Sequence, residues 1–191
     1  MKEKYIFLDR DGVICEDKHH IHKIEDIVLI PKSAEAIRLL NEHNYKVILI
    51  TNQPVIARGL CRIDELKELN LYLERLLLKE GAKINKIYFC PHHPTAGNNS
   101  TYTRECECRK PKPGMILQAK KDFNIGDLST YYMLGDKMSD IHAGKSAGCK
   151  TILVETGYGG KGGEQLEEIE PDYYATNLYN AVKEIILKEG N

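Results

Sequence analysis

Two carboxylates one residue apart, Asp9 and Asp11, follow directly after the short apolar run of residues 5–8. An apolar run of this length, bounded by charge and glycine, predicts a buried strand of a parallel sheet with Asp9 at its carboxyl end. That edge of an open α/β sheet is where ligands bind. Adjacent acids repel and shift each other's pKa values, so the pair indicates either a divalent cation or a division of labour between a nucleophile and an acid. A solvated acidic turn is the alternative for an isolated Asp-x-Asp pair.

A second apolar run, residues 46–50, ends in the polar residues Thr51, Asn52 and Gln53. We expect another buried parallel strand here, which brings its polar end to the same edge as Asp9. Thr51 and Asn52 could donate hydrogen bonds to a phosphate oxygen placed against Asp9. The alternative for both residues is to cap the following turn.

A third strand, predicted over residues 130–135, leads into Asp136. Asp136 precedes the next helix, which makes it a candidate ligand for the same cation. Asp140 could either begin that helix as its cap or reach the metal. The sequence leaves both roles of Asp140 open.

Four metal-ligating residues frame a polar loop. They form a Cys-x-His pair and a Cys-x-Cys pair, namely Cys90, His92, Cys106 and Cys108. Such a set suits a closed tetrahedral site and predicts a structural zinc. The loop between the pairs has almost no apolar residues, so a metal would explain how it keeps a shape. His93 is the second choice for the histidine ligand, and unligated reduced thiols are the alternative to metal.

A basic segment follows the last of these cysteines at once. Arg109 and Lys110 stand between the zinc loop and a helix start, in a stretch that Pro111 and Pro113 stiffen. An arginine fork and a lysine point charge, rigidly presented, suit a phosphate dianion. Residues 16–22 are polar and rich in histidine, which is typical of a surface that faces solvent or substrate; a metal-binding tract is the alternative.

The rest of the chain supplies the elements that position these groups. Apolar spacing predicts a helix over residues 34–44, with Ser33 as its N-cap. A second helix is expected over residues 63–79, closed by Gly81. Further elements are strands over residues 84–90, 151–154 and 173–176, and helices after Pro113, up to Ala147 and over residues 178–187. Residues 157–163, with five glycines, are expected to form a mobile loop; they lack the spacing of a dinucleotide-binding fingerprint.

The bulk composition limits the function classes. With 191 residues the chain fits a single domain with a sizeable core. Its 27 Lys and Arg against 28 Asp and Glu give a net charge of −1, which argues against general attraction to nucleic acid or anionic membranes. No apolar run approaches the roughly 20 residues that cross a bilayer, and the N-terminus has no signal-peptide pattern, so we expect a cytoplasmic protein. The distribution of the six cysteines favours metal over disulfides.

Taken together, these motifs resemble the haloacid dehalogenase (HAD) phosphatases. The motifs are, in order, Asp9-Arg10-Asp11-Gly12, Thr51-Asn52-Gln53, Arg109-Lys110-Pro111 and Gly135-Asp136-Lys137. With the Cys/His loop, the chain is similar to the zinc-loop branch of that family over about residues 4–156. The resemblance implies a three-layer α/β/α sandwich with a mainly parallel, Rossmann-like sheet and no large cap domain. It also implies that the zinc loop 90–108 is an insertion in a single domain, residues 1–191.

The resemblance implies a Mg²⁺-dependent phosphoric monoester hydrolase that works through a phosphoaspartate. Asp9 would be the nucleophile and Asp11 the general acid and base. Thr51 and Lys110 would hold the transferring oxygens. Mg²⁺ would bind Asp9, Asp136 and the backbone carbonyl of Asp11. The implied substrate-binding residues are Asp17, His20, Asn52, Gln53, Arg109 and Lys137.

Within the branch, the long spacer of the Cys/His loop is similar to the heptose bisphosphate phosphatases, whereas the histidinol-phosphatases have a shorter one. This implies hydrolysis of the 7-phosphate of D-glycero-D-manno-heptose 1,7-bisphosphate to heptose 1-phosphate, a precursor of activated heptose for surface glycans, with the second phosphate at Arg109. The alternatives are histidinol phosphate or another sugar phosphate. Pro54, Val55 and Cys15 depart from the family pattern and leave the anomer open. We expect a monomer with a small-molecule substrate and no nucleic-acid or membrane partner; a zinc-dependent nucleic-acid-binding module is the remote alternative.

Overall fold

The computed structural model describes residues 3–161, 166–167 and 169–189. Its strands are β1 Lys4–Leu8, β2 Tyr45–Asn52, β3 Lys86–Cys90, β4 Tyr132–Gly135, β5 Lys150–Val154 and β6 Tyr173–Ala175. They form one sheet in the order β3-β2-β1-β4-β5-β6, and all neighbouring pairs are parallel. The predicted α/β fold with a parallel sheet is therefore confirmed.

Helices cover both faces of this sheet. They are α1 Ser33–Glu42, α2 Ile63–Lys79, α3 Gly114–Asp122, α4 Met138–Ala147 and a C-terminal helix that runs through α5 Leu178–Ala181, a π-helical turn Val182–Ile186 and α6 Leu187–Glu189. A short 3₁₀ turn, Ile24–Asp26, lies between β1 and α1. Within the described ranges, no helix combines the length and apolar character needed to span a bilayer.

The alternation of side chains along the strands divides the core into two layers. Ile6 and Leu8 of β1 pack with α1, α2 and the C-terminal helix on one face. Tyr5 and Phe7 pack with α3 and α4 on the other face. Burial on both faces explains why these strands read as continuous apolar runs.

The start of α1 differs from the prediction. The helix begins at Ser33 itself, so the prediction of Ser33 as its N-cap is wrong. The cap is Lys32, which enters the left-handed region at φ 66° and turns the chain directly into the helix. Ser33 is buried, and no described residue pairs with its hydroxyl. The helix ends at Glu42, ahead of the expected end, and Asn44 turns the chain towards β2 with φ 64°.

The other boundaries lie close to the prediction. Helix α2 covers the predicted range, and Gly81 follows it with φ 73°. Helix α4 ends at Ala147 as predicted, and Gly148 follows it in the left-handed conformation that favours glycine. Residues 157–160 of the predicted glycine-rich loop form turns, whereas Gly162 and Gly163 lie outside the described residues.

The sheet order decides where the polar strand ends meet. Strand β1 lies between β2 and β4, and its last residue, Leu8, pairs with Leu49 and Leu134. The residues that follow these three strands therefore share one edge of the sheet.

Candidate active site and Cys/His cluster

Three buried carboxylates meet at this edge. Asp9 follows β1, Asp136 follows β4, and Asp140 lies in the first turn of α4. One oxygen of each lies within 4.8 Å of the other two. Helix α4 begins at Met138 with Lys137 as its N-cap, so the possible role of Asp140 as the residue that begins the helix is ruled out. Asp140 is the third residue of the helix instead. Its Oδ2 accepts a hydrogen bond from Lys137 N at 3.0 Å, which caps α4, and the same side chain belongs to the carboxylate cluster.

The surroundings of Asp136 fit a bound cation. Among the described residues, none donates a hydrogen bond to Asp136 Oδ1, whereas Tyr158 N donates to Oδ2 at 2.8 Å. Burial raises the pKa of Asp136 to about 8, with help from the adjacent Asp140 and Asp9. Gly12 lies so close that a Cβ there would overlap the carboxylate. A buried set of mutually repelling carboxylate oxygens suits a hard divalent cation, which would neutralise the repulsion.

The ammonium group of Lys110 lies between two of these carboxylates. Its Nζ is 2.9 Å from Asp9 Oδ1 and 2.5 Å from Asp140 Oδ1, and it donates to Ile50 O at 2.6 Å. Burial would lower the pKa of Lys110, but Asp140 and Asp9 outweigh burial and raise it. Asn52 fixes the backbone, because its amide donates to Lys110 O at 2.9 Å and accepts from Lys110 N at 3.1 Å. The side chain of Asn52, a predicted substrate-binding residue, is thus engaged in holding Lys110.

The Asp11 carboxylate lies apart from this cluster, in a network with Arg10 and Gln53. Arg10 Nε and Nη2 donate to its two oxygens at 2.8 and 2.9 Å. Gln53 Nε2 donates to Asp11 Oδ2 and to Thr51 Oγ1, each at 2.9 Å. One amide therefore links the predicted acid and base, Asp11, to the predicted phosphate donor, Thr51.

An open cavity of about 360 Å³ lies beside these groups. Among its lining residues are eight of the predicted site residues, namely Asp11, Asp17, His20, Asn52, Gln53, Arg109, Lys110 and Lys137. Arg58, His93 and Tyr158 line it as well. Four lysine and arginine side chains face two aspartates in this lining, so the cavity favours an anionic ligand.

One wall of the cavity is a chain of polar contacts around Lys137. Its Nζ donates to Asp17 Oδ2 at 2.9 Å and lies 4.4 Å from the centroid of the Tyr158 ring. Burial would lower the pKa of Lys137, but the surrounding carboxylates, first Asp9, raise it. The Tyr158 hydroxyl is 3.0 Å from His19 Nδ1, which ties the glycine-rich loop to the histidine-rich stretch.

Arg58 also lines the cavity. The Cys/His loop supports its segment, because Asn99 N donates to Ala57 O at 3.0 Å. Arg58 faces the exposed His20: partial burial, and then the charge of Arg58, lower the pKa of that imidazole. Arg58 and His20, which both line the cavity, are therefore coupled by charge.

The predicted zinc ligands converge in space. Sulfur–sulfur distances within the cluster are 3.2, 3.4 and 3.5 Å, and all six cysteines are free thiols. His92 Nδ1 is 3.6 Å from Cys90 Sγ and 3.4 Å from Cys108 Sγ. The side-chain hydrogen bond with Cys90 lowers the pKa of Cys108, which favours a thiolate there. Three sulfurs and one imidazole nitrogen at these distances could bind zinc.

His93, the second choice of ligand, has a different place. Its Nδ1 accepts hydrogen bonds from Ala96 N at 2.8 Å and Thr95 N at 3.3 Å, and its side chain lines the cavity. Arg109 Nη1 donates to His92 O at 3.4 Å. The Cys/His cluster therefore anchors the basic segment that carries Arg109 and Lys110.

Comparison with known proteins identifies the family of this chain. The profile described as HAD-hydrolase-like matches residues 107–181. The D-glycero-beta-D-manno-heptose-1,7-bisphosphate 7-phosphatase of Pasteurella multocida is 45% identical over 156 residues, which are 81% of this chain and 83% of that protein. The chain belongs to the heptose bisphosphate 7-phosphatase family of HAD-like hydrolases.

Other members of the family agree with this assignment. The D-glycero-alpha-D-manno-heptose-1,7-bisphosphate 7-phosphatase of Photorhabdus laumondii is 41% identical over 82% of this chain and 85% of that protein. The crystal structure of D,D-heptose 1,7-bisphosphate phosphatase from B. bronchiseptica, complexed with magnesium and phosphate, has a TM-score of 0.85 at 32% identity. That match covers 97% of this chain and 99% of the other. The resemblance to the HAD phosphatases and the fold that it implied are confirmed.

Three residues of the site were not singled out from the sequence as site residues. Arg10 lies inside the Asp9–Asp11 motif, where the sequence gives it no role beyond separating the two acids. Arg58 lies in a turn without a recognisable arrangement of reactive residues. Tyr158 is hidden in a glycine-rich stretch. The position of Arg10 between two carboxylates is the one signal that could have identified its role.

Proposed function

We propose that the chain is a Mg²⁺-dependent phosphatase that removes the 7-phosphate of D-glycero-D-manno-heptose 1,7-bisphosphate and leaves heptose 1-phosphate, a precursor of activated heptose. The observation that carries this proposal is the meeting of Asp9, Lys110 and Asp136 in one buried cluster beside a cavity with surplus positive charge. A cluster of this kind can transfer one phosphoryl group, and the cavity can bind a second phosphate. The activities named for the relatives support the same substrate.

In the proposed reaction, a carboxylate oxygen of Asp9 attacks phosphorus in line with the sugar oxygen. The bond from phosphorus to the sugar oxygen breaks, and an acyl phosphate forms on Asp9. Asp11 gives a proton to the departing sugar oxygen. It then takes a proton from the water that attacks the acyl phosphate and releases inorganic phosphate.

Lys110 and Thr51 hold the transferring oxygens during both steps. Lys110 lies 2.9 Å from Asp9 Oδ1, so its ammonium is next to the point of attack. Fixed positive charge at that point stabilises the developing charge on the phosphoryl oxygens. The hydroxyl of Thr51 already accepts from Gln53, which leaves its proton for a phosphate oxygen.

The residues that would hold Mg²⁺ are Asp9, Asp136 and the backbone carbonyl of Asp11, with Asp140 beside them. Bound Mg²⁺ supplies positive charge between the Asp9 carboxylate and the incoming phosphate dianion. The unpartnered Asp136 oxygen and its raised pKa support this ligand set.

The Cys/His cluster is proposed as a structural zinc site. All four ligand positions come from the protein, so no position remains for a substrate. Zinc there would hold the loop that anchors Arg109 and supports Arg58.

The second phosphate is proposed to bind where the cavity is most basic, with Arg58, Arg109 and Lys137. Lys137 now donates to Asp17. When the ligand binds, Lys137 would pair with the phosphate and Asp17 would accept from a sugar hydroxyl. His20 and Gln53 are placed to contact the sugar. Relatives named for both anomers leave the anomer of this substrate to the experiment.

The test is a phosphate-release panel with purified protein and Mg²⁺. It compares both anomers of the heptose bisphosphate with histidinol phosphate and hexose monophosphates, and uses Asp9→Asn as the inactive control. We expect the highest kcat/KM with a heptose bisphosphate. A preference for histidinol phosphate, or hydrolysis of the monophosphates at the same rate as the heptose bisphosphates, would contradict the proposed substrate.

A further inference from the structure

Arg10 is a fully buried guanidinium held on three sides. Its Nε and Nη2 form the fork on Asp11, its Nη2 also donates to Gln53 Oε1 at 2.9 Å, and its Nη1 donates to Asn70 Oδ1 at 3.1 Å. A guanidinium is planar and rigid, so acceptors at both Nη atoms fix the plane in which the fork lies. The orientation of the Asp11 carboxylate follows from that plane.

Asn70 occupies an unusual position for a polar residue. It lies in the middle of α2 on the buried face, where Leu66, Leu69, Leu73 and Leu77 form the packing stripe. Its side chain is only 5% exposed. A buried amide in an apolar stripe is unfavourable without hydrogen bonds, and its oxygen is used by Arg10. Asp11 and Gln53 line the cavity, so Asn70 reaches the cavity wall through Arg10.

We propose that Asn70 is a positioning residue, which acts through Arg10 to fix the orientation of the Asp11 carboxylate in the active site. The inference rests on the proposed function, in which Asp11 is the acid and base. Proton transfer needs the carboxylate within hydrogen-bond reach of the sugar oxygen. A displacement of about 1 Å can cost roughly 100-fold in rate. A helix on the outside of the sheet therefore controls the chemical step without touching substrate.

The first test replaces Asn70 by leucine, which has a similar size but no acceptor for Arg10 Nη1. We expect kcat for heptose bisphosphate to fall roughly 10- to 100-fold, while KM stays within about 3-fold because the cavity cations are untouched. The loss in kcat/KM, which reports only the steps up to departure of the leaving group, should be smaller with 4-nitrophenyl phosphate, whose leaving group needs little help from an acid. Asn70→Asp keeps an acceptor oxygen and should restore most of the rate.

The second test measures whether Asn70 acts through Asp11. In an Asp11→Asn background, the same leucine substitution should lower the single-turnover rate by less than about 2-fold, because the effects of residues that act as a unit are non-additive. Leu73→Ala is the packing control on the same face of α2; it should lower stability and leave the ratio of rates with the two substrates unchanged. Asn70→Ala, checked by circular dichroism, replaces the leucine variant if that variant does not fold.

If the wild-type protein hydrolyses the bisphosphate, three results would overturn the inference. They are no loss of kcat with heptose bisphosphate, an equal loss of kcat/KM with both substrates, and an equal loss of the single-turnover rate in the Asp11→Asn background. A wild type without phosphatase activity would instead contradict the proposed function itself. The two failures are therefore distinguishable.

Discussion

The two parts of the site are built in different ways. The carboxylate cluster lies at the ends of β1 and β4, where strand register and burial place Asp9 and Asp136. The basic side of the cavity stands on loops, and the Cys/His cluster lies at the base of the loop that precedes Arg109. The difference indicates that the sheet places the groups proposed for the chemistry, whereas the Cys/His loop places groups proposed to select the substrate.

Lys110 joins the two regions. Its side chain reaches Asp9 and Asp140, but its backbone follows the Cys/His loop directly. The paired hydrogen bonds from Asn52, at the end of β2, hold it in the first region. The comparison therefore predicts different losses from changes in the two regions.

The largest effect is expected at the end of β1. Asp9→Asn removes the proposed nucleophile but keeps its size, so kcat should fall by roughly 10³-fold or more while the unfolding temperature stays similar or rises. Steady-state phosphate release and thermal unfolding measure the two quantities. Asp64→Asn, an exposed carboxylate on α2, is the matched control and should retain full activity. Persistent Mg²⁺-dependent turnover by Asp9→Asn would remove Asp9 as the nucleophile.

The next effect tests the loop. Cys106→Ser removes one sulfur of the Cys/His cluster, so bound zinc should fall well below one per chain and the unfolding temperature should drop, since structural metal contributes to folding free energy. Because Cys61 lies outside the cluster, Cys61→Ser should leave the zinc content and the unfolding temperature unchanged. Elemental analysis and calorimetry provide the measurements.

The kinetics of Cys106→Ser sharpen the comparison. If Asn52 holds Lys110 independently of the loop, KM for the bisphosphate should rise more than kcat falls. A larger loss in kcat than in KM would show that the loop, not β2, places Lys110. Unchanged zinc content would mean that the ligand set is wrong.

Substrate selection is expected to depend on the two arginines of the cavity. Arg58→Ala or Arg109→Ala removes a charge-assisted contact to the second phosphate, which is worth about 1.5–3 kcal/mol. KM for heptose bisphosphate should rise roughly 10- to 100-fold, with little change for a hexose monophosphate. Arg38→Ala, an exposed arginine on α1, is the control. An unaltered preference for the bisphosphate in both variants would place the second phosphate elsewhere.

The smallest effect concerns pH. The pKa of Asp136 is raised to about 8 in the metal-free fold, against an ordinary value of 3.8, so the folded state binds more protons than the unfolded state between these values. The free energy of unfolding therefore decreases as pH rises from 5 to 8. Urea unfolding in EDTA of the wild type and of Asp136→Asn isolates this contribution. Mg²⁺ should remove the slope, and an equal slope in both proteins would exclude Asp136 as its source.

Much of the fold could be predicted because its signals are local. Strands β1, β2, β4 and β5 are apolar runs, and the leucine spacing of α2 gives both of its ends. The cap of α1 could not be predicted, because Lys32 adopts a left-handed conformation that its residue type does not favour. The observed strand boundaries differ from the predicted ones by up to two residues, because pairing with a neighbouring strand rather than composition sets where a strand starts and ends.

The candidate site shows the same limit. Carboxylates at strand ends are visible in the sequence because chain position and sheet edge coincide. The contact between Arg10 and Asn70 joins residues 60 positions apart, from a loop and a helix interior, and leaves no local pattern. Asp140 accepts a hydrogen bond from the N-cap residue of α4 and also joins the carboxylate cluster, and its residue type alone cannot separate two contacts that coexist.

The most direct test of the proposed chemistry is to identify the carboxylate that carries the phosphoryl group. The protein is quenched in acid during turnover of heptose bisphosphate with Mg²⁺, reduced with borohydride to convert an acyl phosphate to the alcohol, and digested for mass spectrometry. The proposed chemistry predicts homoserine at position 9, with Asp11, Asp136 and Asp140 unmodified. Homoserine at one of those three positions, with Asp9 intact, would contradict it.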